Sequence, residues 1–184
     1  LQHYAFVINT IVMVTVALLA LLVIRHPHAV VEHPGIKNKV ASTLGEMLVI
    51  AMCVLIGLRP ISYAFGDMGN YYKNFQEYAA GAPPEGQDPL FDGMMWLFAQ
   101  FEAPGLFFLL CALVYLLPLR LASQRVLGSY WALGFLFLIA HVSFYGFAVN
   151  GIRNGMGMSL FTLAITHRRW RAWILMAAAV GLHG

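Results

Sequence analysis

Apolar residues run in long stretches along this chain, and polar residues gather between them. The apolar stretches are Tyr4–Ile24, Leu44–Leu58 (opening nearer Val40), Met94–Leu117, Tyr130–Val149, Ile152–Thr166 and a run that starts at Ala172. Each approaches the roughly 20 residues needed to cross a bilayer as a helix. The pattern predicts an all-α, polytopic helical membrane protein with about five to six transmembrane helices. Residues 1–184 form a single transmembrane domain on this reading. The chain opens at Leu1 and closes on "AAAVGLHG" inside an apolar run, which predicts the N-terminal part of a longer protein.

The polar stretch Arg59–Asp92 separates the second and third runs. It reads as an extracytoplasmic loop over residues 59–92. Within it, Tyr71, Phe75 and Tyr78 recur at helical spacing in "GNYYKNFQEYAA". That predicts a short helix with one aromatic face, suited to the membrane interface. "GAPPEGQDP" reads as a turn-rich linker. Further on, "FEAPG" is expected to break or kink the third span, because Pro104 lacks a backbone donor. Glu102 then sits at the break, shallow in the membrane.

Composition strengthens this picture. Hydrophobic residues make up 60% and charged residues 10%, against about 25% charged in soluble domains. The net charge of +3 sets topology here and does not indicate nucleic acid as a partner. Arg25, Lys37, Lys39, Arg120, Arg125, Arg168, Arg169 and Arg171 fall in alternate loops, which are placed in the cytoplasm. Asp67, Glu77, Glu85, Asp88, Asp92 and Glu102 gather on the other side with Arg59, Lys73 and Arg153. The N-terminus is therefore expected outside. Cys53 and Cys111 lie in apolar runs and read as small buried hydrophobes.

The outer side concentrates the candidate chemistry. Arg59, in "GLRP", is either an interfacial anchor or an anion clamp, since a guanidinium grips phosphate oxygens in a fork. Asp67 is either a helix cap or a general base at the edge of a low-dielectric zone. Glu102 is a reserve base, as intramembrane carboxylates are functional suspects. Asn70, Tyr71 and Tyr72 could position a sugar, with the tyrosines as a stacking wall or as plain interfacial aromatics. His26, His28, Glu32 and His33 read as a cytoplasmic loop and not a metal site. His141 reads as a helix-to-helix hydrogen bonder.

Arg153 is the strongest single signal. It stands in "NGIRNGMGMS" at the opening of a span, where arginine is costly unless it faces a cavity or partner. Asn150 is expected to cap that helix, and Gly151, Gly155 and Gly157 permit close approach. Together with Asn154 they suggest an anion site at a helix N-terminus.

Three stretches resemble the EpsG family of exopolysaccharide polymerases, relatives of Wzy-type O-antigen polymerases. "GLRPISYAFGDMGNYYKNF" (57–75) is similar to the family's Gly-x-Arg segment and its Asp-x-x-x-Tyr loop. "FAVNGIRNGMGMSLFTLAI" (147–165) is similar to an Asn-x-Ile-Arg-Gln helix, with Asn154 where Gln is common. "HRRWRAWILMAAAVGLHG" (167–184) is similar to the turn and run that lead into Phe-His-x-Ser, with Leu182 before His183. The resemblance covers about residues 44–184. It implies a multi-span enzyme of the bacterial inner membrane that extends glycans on an undecaprenyl-diphosphate carrier. Arg59 and Arg153 would then bind the diphosphate. Asp67 would serve as base, with Glu102 and His183 as lesser candidates, and Asn70, Tyr71, Tyr72, Asn150 and Asn154 would position substrate. No cofactor is expected. No Asp-x-Asp pair is present in the sequence to hold a metal ion. The bilayer and a chain-length regulator protein are the implied companions. The alternatives are a transporter or flippase of lipid-linked glycans, and a membrane ligase or acyltransferase.

Overall fold

The computed structural model describes residues 34–84 and 86–183, together with Thr10 and Val14. The first predicted span and the segment from His26 to His33 therefore fall outside the described residues, apart from those two positions. The described chain folds into helices, with no strand among the described residues. They are α1 (Pro34–Gly57), α2 (Met68–Ala79), α3 (Pro89–Ala99), α4 (Pro104–Leu127), α5 (Trp131–Ile139), α6 (Val142–Val149), α7 (Ile152–Ile165) and α8 (Trp170–Leu182). Short 3-10 turns at Tyr63–Phe65 and Gly128–Tyr130 precede α2 and α5.

The expected spans are redrawn in three places. First, α1 opens at Pro34, well before Val40; proline suits a first helical turn, where its missing donor has no partner to lose. Second, the third span is two helices. α3 ends at Ala99, Glu102 turns through the left-handed region at φ 50°, and Pro104 opens α4. Of the break or kink expected at "FEAPG", the structure shows a full break, with Glu102 at it and Pro104 starting the next helix. α4 then continues past Pro118 to Leu127 and absorbs most of the loop expected at 118–129. Third, the span expected over Tyr130–Val149 breaks at His141. Its extended backbone stops α5, and its Nδ1 accepts the Ser143 N–H at 3.2 Å to cap α6.

Among the described residues, one helical stretch, Pro104–Ile139, is long and apolar enough to cross a membrane, with mean hydropathy 2.1. Ala41–Gly57 and Trp170–Leu182 are shorter apolar helices. α7, at 14 residues, rises about 21 Å, short of the ~30 Å hydrocarbon layer. Among the described residues, helices of full spanning length do not confirm the count of five to six transmembrane helices.

α4 lies between α1, α5 and α7, and α8 packs back along α7. Small residues set these approaches. A Cβ on Gly57 would run into the α4 backbone at Leu109 (2.7 Å), and one on Gly157 would lie 3.3 Å from the Ala179 carbonyl of α8. Met52, Ile56, Phe107, Phe108, Leu116, Phe135 and Met156 fill the space between the helices. Polar ties are few and internal. The Ser159 hydroxyl donates to the Val114 carbonyl at 3.0 Å, linking α7 to α4. Tyr115 donates to the Phe144 carbonyl at 3.2 Å, linking α4 to α6.

α7 therefore has two chemically different ends. α2 and α3 pack around its start, through Arg153. At its finish, Arg125 of α4 donates to the Thr166 carbonyl at 3.3 Å.

Candidate functional site

The start of α7 carries a cluster drawn from four helices. The Arg153 guanidinium pairs with the Asp88 carboxylate through Nη1. Its Nε donates to the Tyr71 hydroxyl at 3.3 Å. The rings of Tyr71 and Phe91 flank it, with centroids 5.6 and 5.8 Å from Cζ. His183, just past the end of α8, places Nδ1 3.7 Å from the same Asp88 oxygen. Tyr71, Arg153 and His183 were expected at the site, and the fold brings these three together. Asp88, which joins two of them, reads in the sequence as part of a linker.

Local chain chemistry explains each position. On α2, Met68, Tyr71, Phe75 and Tyr78 are buried on one face, the periodicity the sequence predicts. Tyr71 packs edge-on to Phe91 at 5.1 Å, and burial pushes its hydroxyl above the ordinary phenol range. It therefore stays neutral and can accept from Arg153. Asp88 precedes Pro89, the first residue of α3, so the Asp-Pro step fixes where its carboxylate stands. The side chain is 3% exposed, against 35% for Arg153. A buried carboxylate needs such a partner, while Arg153 keeps one face open.

That open face lines a polar cavity of about 380 Å³, shared with Asn74, Glu77, Tyr78, Pro83 and Asp92. The volume lies in the range of ligand pockets. Asp92 is one turn into α3 and buried, and its Oδ2 accepts the Asp88 N–H at 3.3 Å. Burial raises its carboxyl above the usual carboxylate range; the bond to Asp88 and one from Tyr78 oppose that shift. A cation and a base of raised proton affinity therefore share one cavity wall. Gly86 is required here, since a Cβ would overlap the Asp92 carboxylate.

Arg59 stands elsewhere. It is 5% exposed, and its guanidinium donates to the carbonyl of Ile56 and to that of Val149 at 3.2 Å. It ties the ends of α1 and α6 together and stacks near Phe65, 5.6 Å from the ring centroid. It lies against a pinhole of about 10 Å³, too small for a diphosphate. The expected clamp of two arginines on one anion is therefore not formed: Arg59 faces the interior and Arg153 the cavity.

Asn150 also differs from expectation. It ends α6, and Gly151 takes the N-cap position of α7 without a side-chain cap. Its Oδ1 instead accepts the Asp67 N–H at 2.9 Å. Gly66, at φ 64°, permits this approach, because a Cβ there would overlap Asn150 Oδ1. Asp67 sits at the N-cap of α2 with no side-chain cap bond, and it is exposed. Asn70, Asn154 and Glu102 are exposed as well, and Tyr72 is half-buried. None of these four, nor Asp67, lines the cavity beside Arg153. With Tyr71 buried, the paired-tyrosine stacking wall is not formed. Among the described residues, no three or more His, Cys, Asp or Glu side chains cluster as a metal site would require.

The sequence model of the EpsG family matches residues 43–183. That match spans α2, α3 and all five residues of the Arg153 cluster. No curated protein and no solved structure matches the chain.

Proposed function

Because this chain belongs to the EpsG family, we propose that it is a membrane glycosyltransferase that extends glycans carried on undecaprenyl diphosphate. Family membership is consistent with exopolysaccharide polymerase-type function and with a membrane protein of polysaccharide biosynthesis. The observation that carries the finer reading is Arg153, anchored by Asp88 and Tyr71 and open to a polar cavity. An anchored guanidinium is a preorganised partner for a diphosphate leaving group.

In this reading an acceptor sugar hydroxyl attacks the anomeric carbon of the donor. The bond from that carbon to the phosphate oxygen breaks, and its electron pair leaves with the lipid diphosphate. Arg153 stabilises the charge that develops there. Asp92 receives the acceptor proton, because it lines the same cavity and burial raises its proton affinity. Asp67 and Glu102, both exposed, stand behind it as bases. His183 steadies Asp88 and does not reach the cavity wall. Glu77, Asn74 and Tyr78 offer the carboxylate, amide and hydroxyl that hold sugar hydroxyls.

Purified protein in liposomes with lipid-linked repeat units tests the class of activity. Growth of the glycan without an energy source supports the glycosyltransferase. Exchange of the lipid between leaflets with no new linkage rejects it in favour of a transporter.

A further inference from the structure

The far end of α7 carries a second concavity, independent of the cluster above. A groove of about 450 Å³ opens between the last turns of α4, the end of α7 and the first turns of α8. Leu121, Leu163 and Ile174 supply apolar walls, Trp170 lies along it, and the exposed Arg125 and Arg171 join Gln124 and His167 as its polar lining. Arg168 and Arg169 stand in the adjoining turn, also exposed.

Among the described residues, no carboxylate pairs with these cations. Residues 103–184 contain no Asp or Glu. Glu46 of α1 is engaged by Arg120, which also stacks on Trp131 with its Cζ 4.7 Å from the ring centroid. Anions must therefore come from outside the described chain. Topology alone asks for basic residues on one side of a bilayer; it does not ask for an apolar groove between two of them.

We propose that this groove is a binding site for an anionic phospholipid. The phosphate sits between Arg125 and Arg171, and an acyl chain follows Leu121, Leu163 and Ile174. A free phosphate would leave those walls wet. A zwitterionic lipid would bring its own cation next to the arginines. An anionic headgroup with a hydrocarbon tail satisfies both halves of the groove.

The test uses purified protein in neutral detergent, titrated with brominated phosphatidylglycerol or brominated phosphatidylcholine. Emission from Trp170 is assigned by difference with Trp170→Phe. The proposal predicts that phosphatidylglycerol quenches Trp170 at several-fold lower lipid fraction. Arg125→Gln and Arg171→Gln should each weaken that binding about five-fold, while Arg125→Lys and Arg171→Lys keep the preference. Equal quenching by the two lipids, no quenching by either, or a full preference in the double glutamine variant with an unchanged thermal midpoint would overturn it.

Discussion

Arg153 and Asp88, 65 residues apart in the chain, meet as an ion pair whose acid is buried and whose base is partly open. The asymmetry matters. Removing Arg153 strands a carboxylate in the protein interior, whereas removing both charges strands nothing. Arg153→Ala should therefore lower stability by about 3 kcal/mol, the low end for a broken buried pair because Arg153 is itself partly solvated. Arg153→Gln/Asp88→Asn should recover most of that loss. Unfolding midpoints in one detergent, compared across the single and double variants, check the cycle.

Asp92 gives a pH signature. Its folded-state proton affinity is raised by burial, so the folded state holds a proton that the unfolded chain releases. Stability contributed at this position falls as pH rises from the ordinary carboxylate value through the raised one. Asp92→Asn keeps an oxygen for the Asp88 N–H and removes the titration. The variant should be more stable than the parent at neutral pH and equal to it below the ordinary carboxylate range. Thermal midpoints across that window test the sign. A stability gap that widens on acidification would contradict the assignment.

Gly66 and Asn150 form a tight pair. Gly66→Ala meets a left-handed backbone and the Asn150 amide at once, a cost on the order of 2 kcal/mol. Asn150→Ala alone loses the bond to the Asp67 N–H, about 1 kcal/mol. In that background Gly66→Ala should cost less than it does in the parent, since the overlap is gone. Denaturation midpoints of the four proteins measure the coupling.

The choice between carboxylates is separable by rate. Asp92→Asn should slow glycan extension by 100-fold or more, in line with removal of a general base at roughly 10²–10⁴. Asp67→Asn should change it far less, because Asp67 lies outside the cavity. Initial rates with lipid-linked repeat units, at matched protein, read this directly. The reverse ranking would return the base to Asp67.

Much of the fold's outline was legible from local pattern. The aromatic spacing of Tyr71, Phe75 and Tyr78 marked α2 and its buried face. Arginine at the opening of an apolar run marked Arg153, since such a residue needs a partner. The partner was not legible. Asp88 looked like one residue of a turn-rich linker, and its pairing with Arg153 depends on how α3 packs beside α8. The "DPLFD" spacing does carry a signal, an Asp-Pro helix start with a second acid one turn on, but an N-cap is its commonest meaning. Arg59 failed for the opposite reason. A guanidinium satisfies backbone carbonyls as readily as phosphate, and the meeting of the α1 and α6 ends is a tertiary fact. The break at Glu102 was legible, because Pro104 two residues on lacks a backbone donor; the break at His141 was hidden within a run that hydropathy alone reads as continuous.

Arg153, held by Asp88, is the group proposed to receive the lipid diphosphate. The most direct test is glycan chain length in cells carrying Arg153→Gln/Asp88→Asn, at membrane levels equal to the parent. That pair removes the cation without stranding the buried acid. The account predicts collapse of the polymer to single repeat units. Long chains of parental length distribution would contradict it.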